Sequence, residues 1–233
     1  MTDPIFSGED PRIAKSEDDK KRKLYEDLDD QLMSMQNAVG INWPRLKLTA
    51  QLGDFLKSLN PGRTDLFTAQ DAAKPMLFSQ PLAEYMSMVF ATHGYFGVDL
   101  PGVQEPVLVL TLTDQPSGQD GFLRMSEVMG LKLQADVVAL TACQTGLGRR
   151  ISGEGTMGMG RAFQYAGADA VLMSLWSVHE MASVRLVENF FRYLSEGKDR
   201  LEAMHLARSR IRDEGYNHPF FWSSFILVGE MGL

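Results

Sequence analysis

The stretch Ala135–Gly148, ADVVALTACQTGLG, constrains the fold more than any other part of the chain. Its apolar run Val137–Leu140 is too short for a helix of ordinary length, and it is bounded by Asp136 on one side and a polar, glycine-containing segment on the other. That is the pattern of a parallel strand buried on both faces. The single cysteine of the chain, Cys143, follows the run closely. A thiol is therefore expected where strand gives way to loop, at the carboxyl end where open α/β sheets place their ligands. Glu84–Phe96, EYMSMVFATHGYF, repeats the design: Met86–Ala91 reads as a strand, with His93 just past its end and Gly94 beside it. Two such strands lying parallel in one sheet bring imidazole and thiol to the same rim.

Fifty residues separate His93 from Cys143, a spacing found between the His and Cys of caspases. Ala142, Cys143 and Gln144 fit the caspase signature, whereas Thr141 stands in place of Gln and Thr145 in place of Gly. Four ordered segments extend the likeness: ATHG at 91–94, TACQTGLG at 141–148, GEGTMGMGRAFQYAGADAVLMSLWSV at 153–178 and HPFFWSSFILVGE at 218–230. Together they resemble a CHAT domain, a family of caspase-like cysteine peptidases in the clan of caspases and separases, often placed C-terminal to helical repeats. The resemblance runs from Asp65 onward. It implies a caspase-like three-layer sandwich and a cysteine endopeptidase that cleaves protein substrates through a Cys-His dyad, activated by a sensor or repeat domain in the same or another chain. It also places the backbone N–H groups of Gly94 and Cys143 as oxyanion donors, and Thr141, Ser174, Trp176 and Ser177 around the first specificity pocket. None of those four is basic, so an aspartate at P1 is not expected. Where the family commonly carries two acidic residues, this chain has His179 and Glu180.

At 233 residues the chain is long enough for one α/β domain with a sizeable core. We expect residues 1–64 to form a lead-in segment and helices of the same domain, and residues 65–233 its core. A single cysteine excludes an intramolecular disulfide and zinc sites built on several Cys ligands; no cofactor or metal is expected. The formal net charge of −7 argues against a nucleic-acid partner. Lys20–Lys23 is embedded among acidic residues, and Arg208 and Arg212 sit at i, i+4; both read as solvated helix faces. The start MTDPIF lacks the pattern of a secretory signal, and no apolar run approaches a membrane span, so a cytoplasmic location without membrane contact is the simplest reading.

Along the chain, a helix is expected from Ser16 to Val39, a second from Leu48 to Leu59 closed by Asn60-Pro61-Gly62, and a short one over Ser126–Leu131. Val107–Leu112 reads as a third strand and Gln115–Gly121 as a turn or hairpin. Gly160–Ala166 reads as a helix closed by Gly167, and Ala170–Leu175 as the next strand. Ser177 with Glu180 has the pattern of a capping box opening a helix; Leu201–Arg212 is one more helix and Trp222–Val228 a last strand. Strands alternating with helices imply an α/β fold with a mostly parallel sheet covered on both faces. Asp3-Pro4-Ile5-Phe6 resembles a stretch that follows a core strand in the family. Either the chain begins inside the domain or a separate segment supplies that strand, leaving a sheet edge open to pairing.

A cysteine peptidase needs a thiolate, a base that later protonates the leaving amine, and donors for the oxyanion. Cys143 and His93 supply the first two, and Gly94 has no side chain to obstruct a substrate carbonyl. The competing role for Cys143 is a buried structural thiol, and for His93 a strand-end residue bonded to backbone. His179 is a weaker alternative base suited to helix capping; His205 and His218 read as structural. Gly153, Gly155 and Gly158 satisfy G-x-G-x-x-G, but the run does not follow a strand directly and no Walker A sequence is present. It reads as a mobile loop shaping the rim rather than a nucleotide site. A non-catalytic protein-interaction scaffold is the alternative to the peptidase.

Overall fold

The computed structural model describes residues 1–7, 10–12, 43–95, 103–113, 120–141, 154–176 and 179–230. In chain order these hold β1 (Thr2–Pro4), α1 (Lys47–Leu59), β2 (Thr68–Ala69), α2 (Lys74–Phe78), β3 (Ser87–Phe90), β4 (His93–Tyr95), β5 (Val107–Val109) and β6 (Phe122–Arg124). They continue with α3 (Met125–Met129), β7 (Ala135–Leu140), α4 (Glu154–Tyr165), β8 (Ala168–Ser174), α5 (Glu180–Ser195), α6 (Arg200–Asp213), α7 (Pro219–Trp222) and β9 (Phe225–Gly229). The fold is α/β. Its central sheet has the order β3-β7-β8-β9.

Alternation along β7 and β8 builds two cores, because successive side chains of a strand point to opposite faces. Val138, Leu140, Val171 and Met173 join Phe163 and Met159 of α4 on one face, with Val128 of α3. Val137, Ala139 and Leu172 join Leu52 of α1, Val187 and Phe190 of α5, and Ala203 and Ala207 of α6 on the other. Burial on both faces explains why these strands read as continuous apolar runs. Close approach of α4 to the sheet needs Gly160, where an added Cβ would lie 2.2 Å from Met173 Cε. The turn out of α4 uses Gly167 at φ +112°, where a Cβ would lie 2.2 Å from the Leu133 carbonyl oxygen.

Taken together the sheets are mixed rather than mostly parallel. β3, β7 and β8 run parallel, but β9 returns antiparallel to β8. Two helices in succession, α5 and α6, carry the chain down and back over the same face, so β9 starts at the carboxyl edge instead of ending there. Val107–Leu112 is not a third strand of this sheet either. Its first three residues form β5, which pairs antiparallel with β4 and β6 in a separate three-stranded sheet; short connections favour antiparallel neighbours. β1 and β2 form a third, parallel pair. A small core of Phe6, Trp43, Tyr95, Val107, Val109 and Phe122 lies against the antiparallel sheet.

The helix expected over Ser16–Val39, the basic run Lys20–Lys23 and most of the Gln115–Gly121 turn lie outside the described residues. Among the described residues no helix is long and apolar enough to cross a membrane.

Candidate active site

Phe90 at the end of β3 is in register with Leu140 at the end of β7, and Leu140 with Met173 of β8. His93 lies three residues beyond Phe90, and Cys143 three residues beyond Leu140 in the sequence. Cys143 and Ser177 lie outside the described residues. Thr141, the last described residue before Cys143, is buried, and its N–H donates to the Phe90 carbonyl at 3.1 Å. Ser174 is buried at the end of β8 opposite Phe225. Trp176 follows, partly exposed, its Nε1–H donating to the Phe220 carbonyl at 3.2 Å. Gly94 is buried in β4 opposite Leu108. Thr141, Ser174 and Trp176 thus share the carboxyl edge of the parallel strands, and His93 and Gly94 stand on the antiparallel strand that leaves that edge.

His93 is held on three sides. Its ring lies 4.9 Å from Phe6 and 5.5 Å from Trp43, centroid to centroid, and only 2 % of the residue is exposed. Trp43 is itself packed edge-on against Tyr95. Nε2 lies 2.7 Å from the Pro44 carbonyl oxygen. A carbonyl only accepts, so Nε2 carries the proton and Nδ1 holds the lone pair of the neutral ring. Burial pushes the imidazole down to about 4, with the Pro44 bond opposing the shift. At neutral pH the ring is uncharged and Nδ1 is a proton acceptor. Next to it, the Thr92 hydroxyl donates to the Val109 carbonyl and fixes the turn from β3 into β4.

A sequence model of the CHAT domain matches residues 9–230. The chain belongs to the CHAT domain family. Over 120 residues, 51 % of this chain, it is 30 % identical to human tetratricopeptide repeat protein 28, and over 125 residues, 52 % of the chain, 31 % identical to the mouse protein of the same name. Each match spans only 5 % of the length of that relative.

Within this CHAT domain the glycine run is not a loop where it is described. Gly155, Gly158 and Gly160 lie in α4, and an added Cβ at Gly158 would meet Met125 Sδ at 3.3 Å. Helix packing explains Gly158 and Gly160, so at these positions glycine marks proximity to α3 and β8, not a hinge. The capping box expected from Ser177 is replaced by His179 at the N-cap of α5, exposed and making no side-chain cap bond. Glu180 instead accepts the Leu48 N–H at 2.8 Å, at the start of α1. His205 is exposed on α6, and His218 caps α7 by accepting the Phe220 N–H. Among the described residues no group of three or more His, Cys, Asp or Glu is placed to hold a metal ion.

Three groups around His93 carried no chemical signal in the sequence: the Pro44 carbonyl, Trp43 and Phe6. Asn42-Trp43-Pro44 reads only as a helix break, because a backbone carbonyl acting through space leaves no trace in residue type.

Proposed function

We propose that this CHAT domain is a cysteine endopeptidase of caspase-like architecture in which Cys143 is the nucleophile and His93 the base, then the acid. The observation that carries the reading is the state of His93: a buried, neutral imidazole, pinned through Nε2 so that Nδ1 is left as the acceptor. A base oriented by a third group is the arrangement that activates a weak nucleophile. The register of β3 and β7 supports the pairing, since parallel neighbours are about 4.8 Å apart and the two residues follow their strands at equal counts. Covalent geometry keeps Cys143, two residues on, within about 7 Å of the Thr141 Cα.

In the reaction, Cys143 Sγ attacks the scissile carbonyl carbon as its proton passes to His93 Nδ1. The N–H groups of Gly94 and Cys143 receive the oxyanion, and the Nδ1 proton leaves on the departing amine. Water then adds to the thioester, its proton taken by Nδ1, and the acid product and thiol are released. An ordinary thiol titrates near 8.5, while burial holds the imidazole at about 4, so before substrate binds the proton stays on sulfur. The resting site is thiol and neutral imidazole. Charge separation is deferred until a bound carbonyl and the oxyanion donors stabilise it. Thr141, Ser174, Trp176 and Ser177 line the P1 pocket. The named relatives are tetratricopeptide repeat proteins, which supports an associated repeat region as the regulator.

A second reading, a scaffold without catalysis, draws on the same burial: His93 at 2 % exposure also suits a purely structural ring. Incubation with a mixed peptide library, read by mass spectrometry, separates the two. The peptidase reading expects new termini that vanish in both Cys143→Ala and His93→Gln. Cleavage that persists in Cys143→Ala, or no cleavage by the chain with its repeat region attached, refutes it.

A further inference from the structure

The aspartate of the Asp-Pro-x-Phe stretch has no role in the chemistry above, yet it is buried among several charged and polar partners. Asp3 is 3 % exposed and sits at φ 47°, a left-handed conformation uncommon for a residue with a side chain. Its Oδ1 accepts from Arg45 Nε at 3.0 Å and its Oδ2 from Arg45 Nη2 at 2.7 Å, a two-pronged guanidinium–carboxylate pair. Arg12 Nη1 closes on the same carboxylate at 2.8 Å and on the Asp3 carbonyl at 2.7 Å, while Asp10 holds Arg12 from behind. The Asp3 N–H donates to Thr49 Oγ1 at 3.0 Å, and that hydroxyl donates to the Leu46 carbonyl at 2.7 Å.

The contacts through Arg45, Thr49 and Leu46 fix the segment that follows Pro44, while Arg12 holds Asp3 itself. Arg45 is the next residue, and Leu46 and Thr49 open α1. On the other arm, Phe6 is three residues from Asp3 and lies on the His93 ring. The carboxylate therefore joins the two strands of backbone that form the cradle, one bringing Phe6 and the other Trp43 and the Pro44 carbonyl. Strain held at one residue by surrounding contacts is a recurrent feature of functional sites.

We propose that the Asp3–Arg45 ion pair is a positioning device: it sets the Pro44 carbonyl against His93 Nε2 and so fixes which ring nitrogen is free to take a proton. Its catalytic consequence rests on the reading of His93 as the base; its structural consequence does not. Neither residue touches the reacting atoms. Misplacing the carbonyl frees the ring to exchange tautomers and to turn, and loss of near-attack geometry of this kind costs on the order of 10–100-fold in rate.

The test is the 15N spectrum of the imidazole ring with peptide turnover measured on the same samples, using the full chain. Arg45→Met removes the charge at similar length while Arg12 still pairs Asp3; Arg45→Lys keeps the charge and loses the fork. Lys74→Met, which removes a buried cation bonded to Glu127 and the Phe122 carbonyl elsewhere in the core, controls for general loss of stability. The parent and Lys74→Met should show a single Nε2–H tautomer. Both Arg45 variants should show mixed tautomers, and kcat reduced at little-changed KM, Arg45→Lys less severely. If Arg45→Met does not fold, Arg45→Lys carries the test. Folded Arg45 variants that keep the parent tautomer overturn the proposal. A parent with the pinned tautomer and no turnover overturns the peptidase reading instead, leaving the positioning effect to be judged from the spectra.

Discussion

Replacing His93 by glutamine should change how stability depends on pH, and by an amount the site itself sets. In the folded chain burial holds the imidazole at about 4, whereas an unfolded histidine titrates near 6.5. The folded pKa is the lower one, so between pH 6.5 and 4 the unfolded state binds the extra proton and stability falls as pH falls. The full shift of about 2.5 units corresponds to about 3 kcal/mol, of which about 2 kcal/mol is expressed between pH 7.5 and pH 5. Glutamine does not titrate. Urea unfolding at those two pH values should therefore show the parent losing about 2 kcal/mol more than His93→Gln, which in a domain of this size is about 4–8 °C in Tm. Other groups that titrate in this window contribute equally to both proteins and cancel in the difference. Any fixed cost of losing the Pro44 bond cancels as well. Parent and variant curves that run parallel to within ~0.5 kcal/mol would refute both the buried neutral imidazole and the mechanism built on it.

Two further substitutions test the frame that carries the site. Gly167→Ala puts a Cβ 2.2 Å from the Leu133 carbonyl at a φ of +112°, and should cost more than about 1 kcal/mol in urea unfolding; a neutral result would mean that the turn into β8 has another conformation. Thr111 accepts the Ile5 N–H at 3.1 Å and donates to the Ala69 carbonyl at 2.5 Å. Thr111→Val takes the acceptor from the buried Ile5 N–H, while the Ala69 carbonyl keeps the Ala72 N–H at 3.2 Å; it should cost about 1–3 kcal/mol, with faster hydrogen exchange at Ile5, and unchanged exchange there would show that this hydroxyl does not tie down the N-terminal segment.

The parallel part of the sheet was legible in the sequence because burial on both faces leaves little that is polar inside a strand: Val137–Leu140 falls within β7, and Ala170–Leu175 overlaps β8, which starts at Ala168 and ends at Ser174. Helix α1 was legible from the spacing of Leu48, Leu52, Phe55, Leu56 and Leu59. Direction was harder. Trp222–Val228 gave the existence of β9 and overshot its start, since α7 takes Trp222, but an apolar strand has the same composition whichever way it runs. Its antiparallel course follows from two helices packing on one face, a tertiary fact. The glycine run misled for a related reason: Gly155 and Gly158 belong to the G-x-G-x-x-G signature read as a loop, yet both lie in α4, and only the neighbour Met125 reveals that Gly158 packs against another helix. Of the site, His93 and Gly94 at the edge of the sheet were legible from the end of a strand. The groups that define the state of His93 were not, because Pro44 acts through a carbonyl and Asp3 and Arg45 meet across 42 residues.

The central claim, that Cys143 and His93 act together on a peptide carbonyl, is tested most directly by an acyloxymethyl-ketone peptide, which marks a cysteine only when the dyad turns it into a nucleophile in the presence of a bound backbone. Parent, Cys143→Ala and His93→Gln would be treated side by side with a panel varied at P1, and adducts read by intact mass. A single adduct on the parent, mapped to Cys143 and absent from both variants, is the predicted result. An adduct of equal yield in His93→Gln, or none on the folded parent, would contradict the dyad.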